Sequence, residues 1–488
     1  MGASTVSTGS SPSRREKLER KRENGVVSHE TAGQIDEENQ VDLGELVDGV
    51  FGQQGAGHVN YRSVGWFSSS VLMMKAQIGL GVLSLPATFH TLGLGPGVIA
   101  IIVTAILSTW SDYYLGGPWK QNHPETYSLS DCGMILFGPI GREVFGAGYW
   151  LLMTLIAGSA ILGLSTALNA ISIHGTCTAV FVVVSAIAIY PVASLRTLGT
   201  VKWVGWVGLA SMIVSILLVT IAVGAGNRPS PAPQEGPWEK GIVMWGNPTF
   251  ADAMNAISNI VFSYAGTAGF LPIASEMRNP RDYPKAIFLC QGFVTAFYIT
   301  VGVVVYMYAG QYVASPALGT AGLLIKRVAY GLALPGLLAA GVIYTHLPAK
   351  WIFVRVLRNS RHLTESTAIH WMTWLGCTFG CILFSYIIAS AVPVFGGLVG
   401  LVGALFGSAF TFQCIAMLWF YDQYKHKRTL HGWKFAAMWV FACLVTAIGW
   451  FVTVAGTYGS VVAIKNDYAA NGGRPFTCAD NSGSVKSE

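Results

Sequence analysis

Apolar and polar positions alternate along this chain on the scale of whole membrane helices. Windows of about twenty residues mark apolar runs near 64–90, 96–117, 144–172, 177–194 and 201–225. A Pro- and Gly-rich loop from Gly226 to Pro248 follows, and six more runs lie near 249–275, 284–309, 328–349, 369–391, 394–420 and 434–458. The pattern predicts eleven spanning helices, with only the short link Ala391–Pro393 separating the ninth from the tenth.

Two of these runs contradict themselves. In the first, Gln77-Ile78-Gly79-Leu80-Gly81-Val82-Leu83-Ser84-Leu85-Pro86 sets two glycines and a proline at mid-depth, just after Lys75. In the sixth, Ser263-Tyr264-Ala265-Gly266-Thr267-Ala268-Gly269-Phe270-Leu271-Pro272 does the same. Unpaired peptide groups inside a bilayer cost several kcal/mol unless they face protein or water, so a broken span is expected to line a site. Small residues that merely let helices pack closely are the competing explanation for either break alone. A repeat of five helices must insert its second copy upside down. Matched breaks in helices one and six therefore predict an all-α LeuT-like fold of 5+5 inverted repeats. Asp252, Asn255, Asn259 and Ser263 share one face of helix six, which marks a pathway or interhelix hydrogen bonds.

Composition agrees with a membrane protein: 52% of the 488 residues are hydrophobic and only 11% charged. The first sixty residues hold six Lys or Arg and ten Asp or Glu, so residues 1–60 read as a disordered tail. Its Ser/Thr cluster from Ser4 to Ser13 reads as linker rather than phosphorylation site. No signal peptide is expected, because the first apolar run begins near Val64 and is too long for one. With eleven spans, fifteen Lys or Arg fall in loops on the side of the N-terminus (Lys120, Arg142, Arg196, Lys202, Arg278, Arg281, Lys285, Lys350, Arg355, Arg358, Arg361, Lys425, Lys427, Arg428, Lys434). The opposite loops and C-terminal tail hold seven: Arg228, Lys240, Lys326, Arg327, Lys465, Arg474 and Lys486. The N-terminus is therefore expected in the cytoplasm, the transmembrane domain over 61–458, and a non-cytosolic tail over 459–488.

The net charge of +6 comes from these topological clusters and not from a basic, aromatic surface, so no nucleic-acid partner is expected. Six of the eight cysteines (Cys177, Cys290, Cys377, Cys381, Cys414, Cys443) lie in apolar runs, where Cys packs as a small hydrophobe, and no disulfide framework is expected. Cys377 and Cys381 lack a nearby His or carboxylate, so no metal is assigned. No HExxH pair, nucleophile elbow or Walker A string is present. Neither an enzyme nor a cofactor is expected.

Unwinding exposes amides at one half-helix end, which attract a carboxylate, and carbonyls at another, which attract an ammonium. Together they suit an α-amino acid, read through its main chain by Gln77, Ile78, Gly79, Leu80, Gly81, Ser263, Tyr264, Ala265, Gly266 and Thr267. Helix three offers Tyr149, Met153 and Ser159 as walls.

Gly79 to Pro86 and, after helix six, Glu276-Met277-Arg278-Asn279-Pro280 make the chain resemble the amino acid/auxin permease family over roughly Tyr61 to Tyr458. The overall pattern is most similar to its fungal neutral amino acid permeases. The resemblance implies secondary active transport by alternating access. It also implies a neutral, aliphatic or aromatic amino acid substrate and location in the plasma membrane, with the vacuolar membrane as the alternative. Sodium-coupled members carry asparagine where Lys75 resembles the cation site, whereas proton-coupled members similarly carry lysine, which points to a co-transported proton. A lysine inside an apolar run is expected to face the bundle and meet carbonyls or a carboxylate, with snorkelling toward the cytoplasmic interface as the alternative. In helix eight Tyr344, Thr345 and His346 form the next polar group, which the fold analogy places beside the unwound part of helix one, and His346 reads equally as a histidine satisfied by an interhelix hydrogen bond. Glu276 with Arg278, at the inner end of helix six, reads as an intracellular gate or as a mark of the interface. The other readings are sodium coupling and an amino acid sensor on a transporter scaffold.

Overall fold

The computed structural model describes residues 64–195, 198–226, 228–229, 231–358, 360–363, 367–392, 394–426, 432–471 and 475–483. The expected tail over 1–60 lies outside them, as do Arg196, Lys427, Arg428, Arg474 and Lys486 among the charges that set the expected orientation.

Among the described residues the secondary structure is helical, with one isolated bridge between Val64 and Met277. Nine helices are long and apolar enough to cross a membrane, the pair Trp66–Gln77 and Leu80–Leu92 makes one bent span, and Thr178–Ala193 is a shorter apolar helix. Nine, one and one give the eleven expected. In order after the bent first span they are Leu94–Asn122, Leu129–Ser172, Thr178–Ala193, Trp203–Ala225, Phe250–Ser275, Pro280–Tyr312, Leu323–Val356, Ala368–Ala391, Phe395–Lys425 and Gly432–Ala469.

Local chemistry explains several ends. Ser128 and Asp131 form a reciprocal capping box at the start of the third span. That helix begins well before the expected residue 144. The cause is Gly138, which takes φ 67° ahead of Pro139 and joins a short preceding helix to the span, a conformation that glycine adopts freely. Thr249 caps the sixth span by accepting the Asp252 amide at 3.2 Å, which satisfies one of the orphan donors of that helix end. The eleventh helix continues past Tyr458 to Asn471, because its polar residues find protein partners. Ser460 Oγ donates to Asn255 Oδ1 at 3.0 Å, and the Tyr468 hydroxyl donates to the Ala391 carbonyl at 2.7 Å.

The sixth and third spans are the most enclosed, and the eleventh is the most exposed. The eighth span packs along the third and fifth. One sequence expectation is overturned: Cys177 and Cys478 form a disulfide across 301 residues of chain. Cys177 lies at the start of the fourth span, not within it, and the tail folds back to meet it. Eight spans separate the two cysteines, an even number, so both reach the same face of the bundle.

Candidate functional site

The first span is α1 (Trp66–Gln77) and α2 (Leu80–Leu92), with axes bent by 50° at Ile78 and Gly79. The sixth span is α3 (Phe250–Ser263) and α4 (Thr267–Ser275), interrupted over Tyr264, Ala265 and Gly266. The breaks are shorter than the motifs suggested, since Pro86 and Pro272 sit inside α2 and α4.

The two breaks touch. A Cβ placed on Gly81 would stand 2.5 Å from Ser263 Cα, so hydrogen alone fits where α2 crosses the end of α3. The amides of Leu80, Gly81 and Val82, in the first turn of α2, have no partner within that helix. The carbonyls ending α1 are occupied instead. Tyr344 donates to the Ala76 oxygen at 2.6 Å, and Lys75 Nζ lies 3.4 Å from the Ile78 oxygen. The Tyr298 hydroxyl lies 2.8 Å from the Gln77 carbonyl oxygen and 3.0 Å from that of Ser263. One hydroxyl proton is thus shared between the broken ends of both helices.

Lys75 is only 1% exposed, which excludes snorkelling in this conformation. Its stem crosses the fifth span, where a Cβ on Gly208 would meet Lys75 Cε at 3.0 Å. Among the described residues no carboxylate pairs with it. The small cavity at the breaks is lined by Lys75, Gly79, Ile156, Phe262, Ala340 and Tyr344 among others, and its volume of 10 Å³ holds about one water. Of helix three, Ile156 reaches this wall, whereas Tyr149, Met153 and Ser159 do not line it.

Outside this closed centre, a vestibule of about 1470 Å³ opens on the face that carries the disulfide. Asp252, Asn255 and Asn259 line it, and it reaches down to Ser84, one helical turn above Gly81. The C-terminal tail forms part of its rim: Thr178 Oγ1 donates to the Ala479 carbonyl at 2.6 Å, and Asn169 Nδ2 to Asn481 Oδ1 at 2.8 Å. The opposite face is shut. There Arg278 N bonds to the Val64 oxygen at 2.9 Å, and Glu276 accepts from Tyr127 at 3.3 Å and pairs with Lys350 at 3.5 Å.

The expected site residues are therefore divided. Gln77 to Gly81 and Ser263 to Thr267 surround the breaks. Glu276 is buried with Lys350 and Tyr127, while Arg278 is exposed and joins the closure through its backbone. Thr345 is buried with its hydroxyl unpartnered. His346 turns away: Nδ1 faces the Ala193 carbonyl at 3.1 Å, and its ring stacks edge-on to Trp374. Tyr298 is an addition from the structure that no local pattern marks, and of the polar group in helix eight it is Tyr344 that reaches the break. Asp112, buried in the second span, escaped the sequence reading too, although a carboxylate in an apolar run is itself a signal.

Comparison with known proteins accords with this geometry. A family model described as transmembrane amino acid transporter protein matches residues 62–462. A transmembrane transporter of Fusarium pseudograminearum is 34% identical over 95% of this chain and 96% of its own length. The N amino acid transport system protein of Neurospora crassa is 32% identical over 87% of this chain and 90% of its own. The fold aligns with Mhp1, a nucleobase-cation-symport-1 family transporter solved in a closed conformation, at a TM-score of 0.52 and 12% identity. That alignment covers 90% of this chain and 99% of Mhp1, and the shared fold is the LeuT-like one.

Proposed function

We infer that this chain, which belongs to the transmembrane amino acid transporter family, is a secondary active carrier that takes up neutral amino acids with a proton by alternating access. The observation that carries the reading is the contact between the two breaks. Unpaired amides of α2 stand ready for a carboxylate within van der Waals reach of the carbonyl end of α3, the polarity a zwitterion needs. The surrounding wall of Leu80, Ile156, Phe262, Ala265 and Ala340 is apolar and supplies no carboxylate for a cationic side chain, which favours a neutral one.

An open vestibule on one face and a bonded closure on the other suit one state of an alternating-access cycle. Coupling to protons is favoured by Lys75, whose ammonium lies against the Ile78 carbonyl where a metal cation would otherwise be drawn. The Cys177–Cys478 disulfide favours a non-cytosolic vestibule, since such bonds persist in oxidising compartments. A cytosolic N-terminus and residence in the plasma membrane follow as part of the same proposal, checked by imaging a fluorescent fusion.

The purified protein in liposomes tests it. A labelled neutral amino acid should accumulate under an imposed pH gradient without sodium. Accumulation driven by sodium alone overturns the proton reading, and no movement of any amino acid overturns transport itself.

A further inference from the structure

Behind the sixth-span break lies a second polar group that the substrate site does not use. Asp112, in the second span, is fully buried. Gln291 of the seventh span donates from Nε2 to Asp112 Oδ2 at 2.5 Å. Asp112 Oδ1 and Gln291 Oε1 are both buried and both lack a hydrogen-bond partner. Among the described residues no Lys, Arg or His pairs with the carboxylate.

Such a site asks for one particle. With Asp112 ionised, two acceptors stand orphaned beside each other's side chains, in a protein interior where buried acceptors are nearly always satisfied. A single proton on Oδ1 turns that atom into a donor, and the acid and the amide, already joined through Nε2 and Oδ2, then have matched donors and acceptors for a reciprocal pair. Among the described residues Asp112 belongs to no group of three or more His, Cys, Asp or Glu that could hold a metal ion.

The position is joined to the moving parts. Thr267, the first residue of α4, neighbours the carboxylate. Cys290, next to Gln291, contacts Gln77 Oε1 through its sulfur at 3.8 Å, and Gln77 Nε2 is itself buried and unpartnered. Gln77 ends α1, and its Cγ lies where a Cβ on Gly266 would approach to 3.1 Å. Consecutive residues of the seventh span thus meet the end of α1, through Cys290, and Asp112, through Gln291. Along the second span, Asp112 lies eighteen residues below Leu94 at the vestibule end. At a rise of about 1.5 Å per residue that is a depth of roughly 27 Å. It is thus nearer the closed face than the open one. The other titratable groups facing it are Tyr283, whose hydroxyl donates to the Asp112 carbonyl at 2.9 Å, and Cys290, both on the seventh span.

We propose that Asp112 is the residue that carries the coupled proton, bound on Oδ1 against Gln291 while the site is closed and released to the face of Glu276 when that face opens. The proton that leaves one aqueous phase enters the other, the carboxylate alternating between neutral and anionic with no other bond changed. This rests on the proton-symport reading above.

The test uses Asp112→Asn, which keeps the shape of the protonated acid but cannot release a proton. Liposomes holding a pH-sensitive dye report both fluxes. Wild type should acidify the lumen as substrate enters and accumulate it. Asp112→Asn should exchange labelled for unlabelled substrate, yet show no acidification and an accumulation ratio that falls to one. Accumulation by Asp112→Asn equal to wild type under the same pH gradient overturns the assignment while leaving symport intact. Absence of acidification in wild type overturns symport first. Should Asp112→Asn neither exchange nor bind, the wild-type protein decides through an apolar carbodiimide, which adds to protonated carboxyls. An adduct on Asp112 that forms faster in acidic buffer, with parallel loss of uptake, supports the role, and equal labelling in acidic and alkaline buffer overturns it.

Discussion

Gly79 and Gly81 look equivalent in the first break, and the fold makes them unequal. A Cβ on Gly81 would meet Ser263 Cα at 2.5 Å, Oγ at 2.6 Å and Cβ at 2.8 Å. A Cβ on Gly79 would meet nothing nearer than Lys75 Nζ at 3.5 Å, an ordinary contact with the free end of a flexible side chain. Ordinary contact begins at 3.4 Å, so Gly81→Ala must push α2 from α3 by about 0.9 Å (3.4 − 2.5). Backbone lies on both sides, and no rotamer change relieves it. Overpacking of this kind costs about 1–3 kcal/mol, equivalent to roughly 5- to 150-fold in an equilibrium. That cost falls on the closed state, whose central cavity holds about one water. Uptake of a labelled neutral amino acid, normalised to surface protein, should therefore drop at least about fivefold for Gly81→Ala and stay within about twofold for Gly79→Ala. Adding Ser263→Gly removes the Oγ and Cβ contacts but not the 2.5 Å approach to Cα, so it should not restore Gly81→Ala. Wild-type uptake by Gly81→Ala, equal damage from Gly79→Ala, or rescue by Ser263→Gly would each refute the reasoning.

Three other outcomes follow from the same geometry. Tyr298→Phe strips the one hydroxyl shared by the Gln77 and Ser263 carbonyls. Losing a buried partner costs about 1–3 kcal/mol, so the KM for uptake should rise about tenfold at full expression, and an unchanged KM would remove Tyr298 from the site. Glu276→Gln breaks the pair with Lys350 on the closed face while leaving an acceptor for Tyr127. A partly exposed pair contributes up to about 1 kcal/mol, so coupled uptake should fall by up to about fivefold, and unchanged uptake takes Glu276 out of the gate. Removing Cys177 and Cys478 together should lower thermal stability in detergent by the equivalent of about 2–4 kcal/mol. In intact cells, reduction should expose both to a membrane-impermeant maleimide, and labelling only after permeabilisation would reverse the proposed orientation.

The helices were legible because lipid imposes length and apolarity on each span separately, so eleven runs read one by one gave eleven helices. Contacts between spans follow another rule, and here the sequence reading thinned. Tyr344, Thr345 and His346 are consecutive, so steps of about 100° per residue must turn them toward different neighbours. Tyr344 reaches the end of α1, while His346 reaches Ala193 and Trp374. A polar triplet thus shows that helix eight meets protein without showing which member meets the site. Cys177 and Cys478 illustrate the same limit from the other side. An odd helix count already placed the fourth span's start and the C-terminal tail on one face, yet nothing local separated Cys177 from the cysteines packed inside helices.

Asp112 marks where the two kinds of information join. A carboxylate eighteen residues into an apolar span is anomalous from sequence alone. Its use depends on Gln291, 179 residues later, whose amide occupies one carboxylate oxygen while Asp112 Oδ1 and Gln291 Oε1 are left without a donor. The chain therefore contains one fixed cation and one carboxylate in its membrane interior that lack ion partners among the described residues. Lys75, within α1, lies against the Ile78 carbonyl where a cation would be drawn, and Asp112 lies beside α4 where a proton would complete the hydrogen bonds. Lys75 belongs to the half-helix α1 and Asp112 borders the half-helix α4, so both must change neighbours if the vestibule closes and the opposite face opens. Placing one group on a half-helix and the other against the opposite one ties charge to conformation, which symport requires of any carrier whose substrate has no net charge.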